Sequence, residues 1–312
     1  MKKLPCPEQI KLSVVIPFCD DLQSLDRSLD AVLAESKRFG STEVILVDNG
    51  SKLDYQSLTH RHEVRIITEL EKLNSPYSAR NRGIEVSKGG IIVLLDATCI
   101  PRPGWLAAGV SALDEKSADI VGGEVRFDIN EESSTAEIYD ALVNIRMKES
   151  IMTRQVAKTA NLFIRRKVFE AIGLFAEGVR SGEDVGWTSR AVEYGFRLEF
   201  SSEAVVVKAP RRLREVLRKQ WRVATWQPRI RRAAQGQTPK RNRVKRSLPR
   251  LIIPPGTLKK MMLERDDDFF SQFGHKIFQI TFLHNFIRVW MFAGNVWGNI
   301  KLRKAKLVGR RV

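Results

Sequence analysis

The acidic side chains that could do chemistry in this sequence stand where the chain turns. Gly90 to Trp105 reads GIIVLLDATCIPRPGW. The apolar run Ile91 to Leu95 has the length of a buried strand and ends on Asp96, after which Pro101, Pro103 and Gly104 force a turn. Two earlier apolar runs end in the same way, on Asp20-Asp21 and on Asp48-Asn49. Open α/β sheets bind ligands at the carboxyl ends of their strands, so three acidic ends on one edge read as a site, although a single strand-end carboxylate equally caps a loop. Further on, Ser181-Gly182-Glu183-Asp184 opens a helix, where the helix dipole alone favours adjacent carboxylates. Ionised, these groups accept hydrogen bonds, and a well-placed one takes a proton from a hydroxyl.

The elements that must hold these residues follow from periodicity. Leu12 to Ile16 is a first strand, and a helix from about Leu22 to Phe39 has Leu22, Leu25, Leu29, Val32 and Leu33 on one face and Gly40 as its stop. Glu43 to Val47 and Val64 to Thr68 are the next strands. Ser75-Pro76 has the form of a helix start, cap then first-turn proline, and Gly89-Gly90 closes that helix before the strand at Ile91. This alternation predicts an α/β fold with a parallel, doubly wound sheet. Beyond it, the sequence predicts a helix from Trp105 to about Ser117 and a strand over Asp119–Phe127. A helix over Thr135–Ser150, a strand over Ala160–Ile164 and a short helix to Gly173 come next, then a helix to Tyr194 and a strand over Arg197–Val207. Gly122-Gly123 inside a strand points to a bulge, a close backbone approach or a simple bend.

Composition bounds the rest. The 312 residues are enough for a full core, and three scattered cysteines without C-x-x-C spacing argue for a reducing compartment and against a zinc site. None of the four histidines forms an i, i+4 metal pair. The net charge of +17 is unevenly placed: Val206 to Val312 hold 27 Lys and Arg against 5 Asp and Glu, whereas Met1 to Val205 hold 26 against 31. A boundary between 207 and 208 follows, with a basic, mostly helical extension over 208–312. Pro5, Pro7 and Glu8 break any signal-peptide core, and no apolar run of 18 residues predicts a membrane span.

Taken together, six segments in order resemble a family 2 glycosyltransferase of the GT-A fold. VVIPFCDD is similar to that family's V-x-I-P-x-x-N-[DE], VDNGS to V-D-D-G-S and SARNRGI to A-R-N-x-G-[IL]. LLDATCIPRPGWL resembles L-D-x-D-x-x-P-x-P-x-W-[LI], ANLFIRRKVFEAIGLF the acceptor-side A-N-x-x-[FI]-R-R … G-x-F segment, and GEDVGWTSRAVEYGFRL the E-D-x-x-[LW] helix. The resemblance covers about Lys11 to Val216. It implies a GT-A, doubly wound and mostly parallel sheet with helices on both faces, a nucleotide-sugar part over about 11–105 and an acceptor and catalytic part over about 106–207. It further implies an inverting transfer from a nucleotide-diphosphate sugar to a hydroxyl of a saccharide or lipid-linked acceptor. Pro17, Phe18, Asp21, Asp48 and Asn49 would line the nucleoside pocket, Arg80 would lie against the base, and Asp96 would sit at the ribose and diphosphate. Asp184, or else Glu183, would be the general base. The family's divalent cation, Mg²⁺ or Mn²⁺, would bind at Asp96. Its second acidic position is Thr98 here and the place of its histidine ligand is Lys208, so the ammonium of Lys208, with Arg211, Arg212 or Arg222, competes with Mg²⁺ as the diphosphate's counter-charge.

Arg211 to Arg250 carry 15 basic residues and one acid, a density that predicts an anionic partner. Phe269 to Ile300 are rich in phenylalanine and tryptophan and run into Lys301, Arg303, Lys304, Lys306, Arg310 and Arg311. That pattern predicts an interfacial helix on the cytoplasmic face of an anionic membrane, a helix packed on the catalytic domain being the competing reading. Gln220-Trp221-Arg222 has the wrong spacing for the Q-x-x-R-W of processive synthases and carries little weight, and the enzyme is expected to be non-processive. Rival classes fit less well. A nucleotidyltransferase wants a glycine-rich loop where PFCDD stands, and a nucleic-acid-binding protein would carry a reading motif. A catalytically silent relative that only binds the nucleotide sugar stays open.

Overall fold

The computed structural model describes residues 10–20, 22–55, 63–237, 252–265 and 268–307. Asp21, the stretch 238–250 with the densest basic run, and Arg310 and Arg311 lie outside the described residues. The chain divides into two compact units, one of Met1–Phe127 and Ile145–Ala209, the other of Asp128–Asn144 and Pro210–Val312. The sequence-based boundary at 207/208 left Asp128–Asn144 with the N-terminal part. Here that segment groups with the C-terminal helices, because its helix packs its apolar face there.

The first unit is built on strands β1 (Leu12–Phe18), β2 (Thr42–Asp48), β3 (Val64–Thr68) and β4 (Ile91–Leu95). They continue with β5 (Cys99–Pro101), β6 (Ile120–Phe127), β7 (Asn161–Arg165) and β8 (Leu198–Lys208). These form one eight-stranded sheet in the order β3-β2-β1-β4-β7-β6-β8-β5. Val14, Val15 and Ile16 are consecutive yet all fully buried, as are Ile92 to Leu95. Burial on both faces is why these strands read as unbroken apolar runs, and helices cover both sides.

Helix α1 (Leu22–Phe39) follows β1, α2 (Pro76–Val86) precedes β4, and α3 (Trp105–Glu115) follows β5. Pairing is parallel from β3 through β4 and again between β6 and β8, but β7 runs antiparallel between β4 and β6. Simple alternation of strands and helices does not foresee that reversal. The paired glycines act twice: the β6–β8 register shifts between Gly123 and Glu124, and a Cβ at Gly123 would lie 2.3 Å from Asn161 Nδ2. Asn161 donates from Nδ2 to Glu124 O and Ala204 O and accepts from Trp105 Nε1 at 2.8 Å, so one buried amide joins β6, β7, β8 and α3.

The helix expected over Thr135–Ser150 is two helices, α4 (Thr135–Val143) and α5 (Met147–Arg154). Ile145 at φ 43 breaks them, a conformation costly for a β-branched residue that apolar periodicity does not reveal. Helices α6 (Arg166–Ile172) and α7 (Glu183–Glu193) complete the first unit.

In the second unit, α4 joins α8 (Leu213–Gln237), α9 (Pro255–Leu263), α10 (Phe269–Phe273) and α11 (Ile277–Leu307). Asp140 on α4 is fully buried and accepts from the backbone N–H of Arg211 at 3.1 Å and from its guanidinium at 3.4 Å. The α8–α11 contact uses small residues: a Cβ at Gly298 would lie 2.4 Å from Thr225 O, while Trp221 and Trp290 rings pack at 4.8 Å. His284 on α11 meets the edge of Tyr139, and burial with the nearby Arg288 holds its pKa down to about 4, so the imidazole is neutral.

Candidate active site

Apart from Arg211, Arg212 and Arg222, which fall in the second unit, the described candidate residues belong to the first. At the ends of β1 and β2, Phe18 is the register partner of Asp48, and the Phe18 ring meets Tyr55 edge-on at 5.4 Å. Asp48 is buried and accepts from the Ser51 N–H at 2.9 Å, which fixes the turn after β2. Asn49 donates to Glu69 O and Lys72 O, tying this turn to the loop after β3. Half-buried Pro17, with Phe18, Tyr55 and Asp48, makes an apolar edge carrying one carboxylate. Tyr55 gives no sequence signal because it follows a turn with no periodic pattern.

The second cluster forms around Asp96. Arg80, 4% exposed, donates from Nη2 to Asp96 Oδ1 at 2.7 Å and from Nη1 to Pro76 O. The guanidinium expected against the base is thus seated on the carboxylate. Strand β5 pairs antiparallel with β8 and sets Cys99 opposite Lys208. This register carries the Lys208 ammonium to Thr98 Oγ1, to which it donates, with Asp96 Oδ2 at 3.7 Å.

The third cluster opens α7. Gly182 adopts φ +86 at its N-cap, a conformation that favours glycine and lets the helix begin abruptly on Glu183-Asp184. Tyr77 OH accepts from the Gly182 N–H and donates to Asp184 Oδ1 at 3.0 Å, and Val185 N–H donates to the same oxygen. Asp184 is part-exposed, and the protein packed around it desolvates its carboxylate. That desolvation raises its pKa above the carboxylate range, while the bonds from Val185 and Tyr77 and the charges of Arg80 and Lys158 pull it back. Burial and the Asp184 charge together push the Tyr77 phenol upward, so it stays a donor. Glu183 is engaged differently, accepting from Ala176 N–H at 3.0 Å and pairing with Arg190 at 3.1 Å. Behind them, fully buried Trp187 packs on Phe169 and Phe175 and donates to Gly173 O, which anchors α7.

Helix α2 joins the second and third clusters. Tyr77 and Arg80, three residues apart, lie on one face and hold Asp184 and Asp96 respectively. Asn81 exchanges two hydrogen bonds with the backbone of Phe175, and Ser75 Oγ donates to Val179 O, so the loop before α7 is clasped to α2. The sequence does not single out Tyr77, because only its distant partner Asp184 gives a tyrosine in a first helical turn a role.

A divalent cation fits these residues poorly. Hard cations want several oxygen ligands, yet both Asp96 oxygens already face protein cations and the Thr98 oxygen accepts from Lys208. Among the described residues no group of three or more His, Cys, Asp or Glu is placed to hold a metal ion.

Comparison with known proteins gives concordant results. The sequence model described as glycosyl transferase family 2 matches residues 13–173. A glycosyltransferase of Haloferax volcanii, AglE, is 39% identical over 221 residues, spanning 69% of this chain and 72% of that protein. The pre-mycofactocin glycosyltransferase of Mycobacterium tuberculosis is 27% identical over 212 residues, 64% of this chain and 43% of that protein. Among solved structures, mannosyltransferase PcManGT of Pyrobaculum calidifontis, in complex with GDP-Man and Mn²⁺, superposes with a TM-score of 0.61. It is 16% identical, and the match covers 92% of this chain and 87% of that one. S. aureus TarS 1–349 with UDP-GlcNAc superposes with a TM-score of 0.51 at 15% identity, covering 96% and 92%.

Proposed function

Because the chain belongs to glycosyl transferase family 2, we propose that it moves a sugar from a nucleoside-diphosphate donor to an acceptor hydroxyl with inversion at the anomeric carbon. The observation that carries this reading is the two-handed grip of α2, with Arg80 on Asp96 and Tyr77 on Asp184. It ties a donor-edge carboxylate and a desolvated carboxylate to side chains three residues apart on one helix. In the proposed reaction the nucleoside lies along Pro17, Phe18, Tyr55 and Asp48, with Asp96 toward the ribose and diphosphate. Asp184 takes the proton of the acceptor hydroxyl as that oxygen bonds to the anomeric carbon. The bond from that carbon to the diphosphate breaks, and its electron pair leaves on the phosphate oxygen. A single displacement of this kind inverts the centre. Desolvation makes Asp184 the better base of the pair, since Glu183 is already neutralised by Arg190.

Solved relatives that bind GDP-Man or UDP-GlcNAc support a nucleotide-sugar donor, and the acceptor we favour is a saccharide or lipid-linked saccharide. Calorimetric titration with UDP-, GDP- and TDP-sugars tests the donor. One nucleotide class is expected to bind saturably, and Asp48→Asn should weaken it about 10- to 100-fold, the value of a charged hydrogen bond. A protein that binds none of the three refutes the reading.

The C-terminal helix supports attachment to an anionic membrane surface. On α11, Phe278 and Phe282 are 75% and 78% exposed, and Phe286, Phe292, Trp297 and Ile300 continue the apolar face toward Lys301 and Arg303. From Phe278 to Ile300 that face runs about 33 Å at the helical rise. Among the described residues no helix is long and apolar enough to cross a membrane, so the stripe would lie along one. Vesicles containing phosphatidylglycerol should sediment the protein, less so as salt rises. Removing α11 would take away the partner of α8, so the sharper variant is Phe278→Ser with Phe282→Ser. If that variant sediments as the parent does, the helix is not the anchor.

A further inference from the structure

We propose that the Lys208–Thr98 pair supplies the positive charge at the donor's diphosphate, the Thr98 hydroxyl meeting a phosphate oxygen and the Lys208 ammonium standing behind it. The proposal rests on the nucleotide-sugar reading above and assigns the part of that site where a divalent ion would otherwise act.

The placement begins with strand register. Antiparallel pairing of β5 with β8 puts Lys208 opposite Cys99 and one residue from Thr98. The Lys208 side chain is 2% exposed, which is unusual for a charge unless partners meet it. Its ammonium donates to Thr98 Oγ1, faces Asp96 Oδ2 at 3.7 Å and lies 3.9 Å from Cys99 Sγ. Asp96 is shared, because Arg80 binds its other oxygen at 2.7 Å. Arg80, Lys208 and Asp96 therefore carry two positive charges and one negative, an arrangement suited to an incoming anion. A divalent cation placed beside Asp96 would meet two cations already in contact with that carboxylate.

Access favours the hydroxyl as the contact atom. Thr98 and Asp96 are part-exposed, whereas Lys208 is enclosed. A threonine oxygen that accepts from an ammonium turns its own proton elsewhere, which leaves the hydroxyl able to donate to a ligand. Charge-assisted donors of this kind answer the negative charge that builds on a departing diphosphate. Lys208 thus acts through Thr98 and fixes both the direction of the hydroxyl and the sign of the field at the phosphate. Arg211, the nearest arginine in sequence, is bound to Asp140 within the second unit, so Lys208 with Arg80 carries the role.

The test is calorimetric binding of UDP and of GDP in EDTA and in MnCl₂, which needs no acceptor and no turnover. The parent protein is expected to bind its nucleotide with a Kd that differs by no more than about threefold between the two buffers. Lys208→Met should weaken binding in EDTA by about tenfold or more. The double variant Thr98→Asp with Lys208→His, which restores ligands for a hard cation, should bind about tenfold more tightly in MnCl₂ than in EDTA. A merely structural lysine would not convert a metal-indifferent site into a metal-dependent one. Parent binding that is lost in EDTA and restored by Mn²⁺ overturns the proposal, as does a folded Lys208→Met that binds like the parent in EDTA. The parent comparison stands even if a variant fails to fold. No binding of either nucleotide in either buffer would instead overturn the donor reading, and this assignment with it.

Discussion

Asp184→Asn is expected to lower turnover by about 10²–10⁴ while leaving donor binding nearly unchanged. The amide matches the carboxylate in shape and can still accept from Tyr77 and Val185, but it cannot take a proton. The same variant should be more heat-stable at neutral pH. Desolvation raises the folded-state pKa of Asp184 above its unfolded value, so between those values the native chain holds the extra proton. Stability then falls as pH climbs through that window and stays lower above it, where a desolvated charge must be maintained. A neutral asparagine removes that burden. Tyr77→Phe supplies the companion result: it deletes a donor that lowers the Asp184 pKa, so the acid limb of the kcat profile should move to higher pH. Asp184→Asn turnover close to the parent would remove Asp184 from the base role.

Arg80→Met should produce the largest loss of stability among the site variants. Its guanidinium is enclosed and bound to Asp96, and withdrawing one partner of a buried pair typically costs about 3–5 kcal/mol. Asp96 keeps a 31% exposed side chain that water can reach, which places the expected loss toward the lower end, about 3 kcal/mol. Arg82→Met is the control two residues along: Arg82 meets Glu85 at 3.5 Å with both side chains about half exposed, and such pairs contribute about 0–1 kcal/mol. Urea unfolding should separate the two clearly. Equal midpoints for both variants would show that the Arg80–Asp96 pair does not brace the first unit.

The order of strands and helices in the first unit is legible because its central strands are buried on both faces and end in turn residues. Leu12 to Ile16, Ser13 apart, and Ile91 to Leu95 are apolar for the same reason that they are central. Ser75-Pro76 caps α2 as its residue types require, with Ser75 accepting from the Ser78 N–H. What periodicity hides is pairing. The antiparallel insertion of β7, and the three-residue β5 that brings Lys208 to Thr98, depend on contacts between residues far apart in sequence. The break between α4 and α5 turns on one backbone conformation at Ile145, and the grouping of Asp128–Asn144 with the C-terminal helices turns on which apolar face packs where. Among site residues, the acidic strand ends announce themselves by position. Tyr77 does not, since a tyrosine in a first helical turn is ordinary until its partner across 107 residues of sequence is known.

The hold of α2 on both Asp96 and Asp184 makes that helix a spacing gauge. Its geometry advances about 1.5 Å per residue, so Tyr77 and Arg80 stand about 4.5 Å apart along the axis whatever the surrounding loops do. Insertions in the loop after β3 therefore leave the offset between the two gripping residues unchanged. A one-residue insertion between Tyr77 and Arg80 would rotate one grip by about 100° against the other, and no change in a loop could restore it.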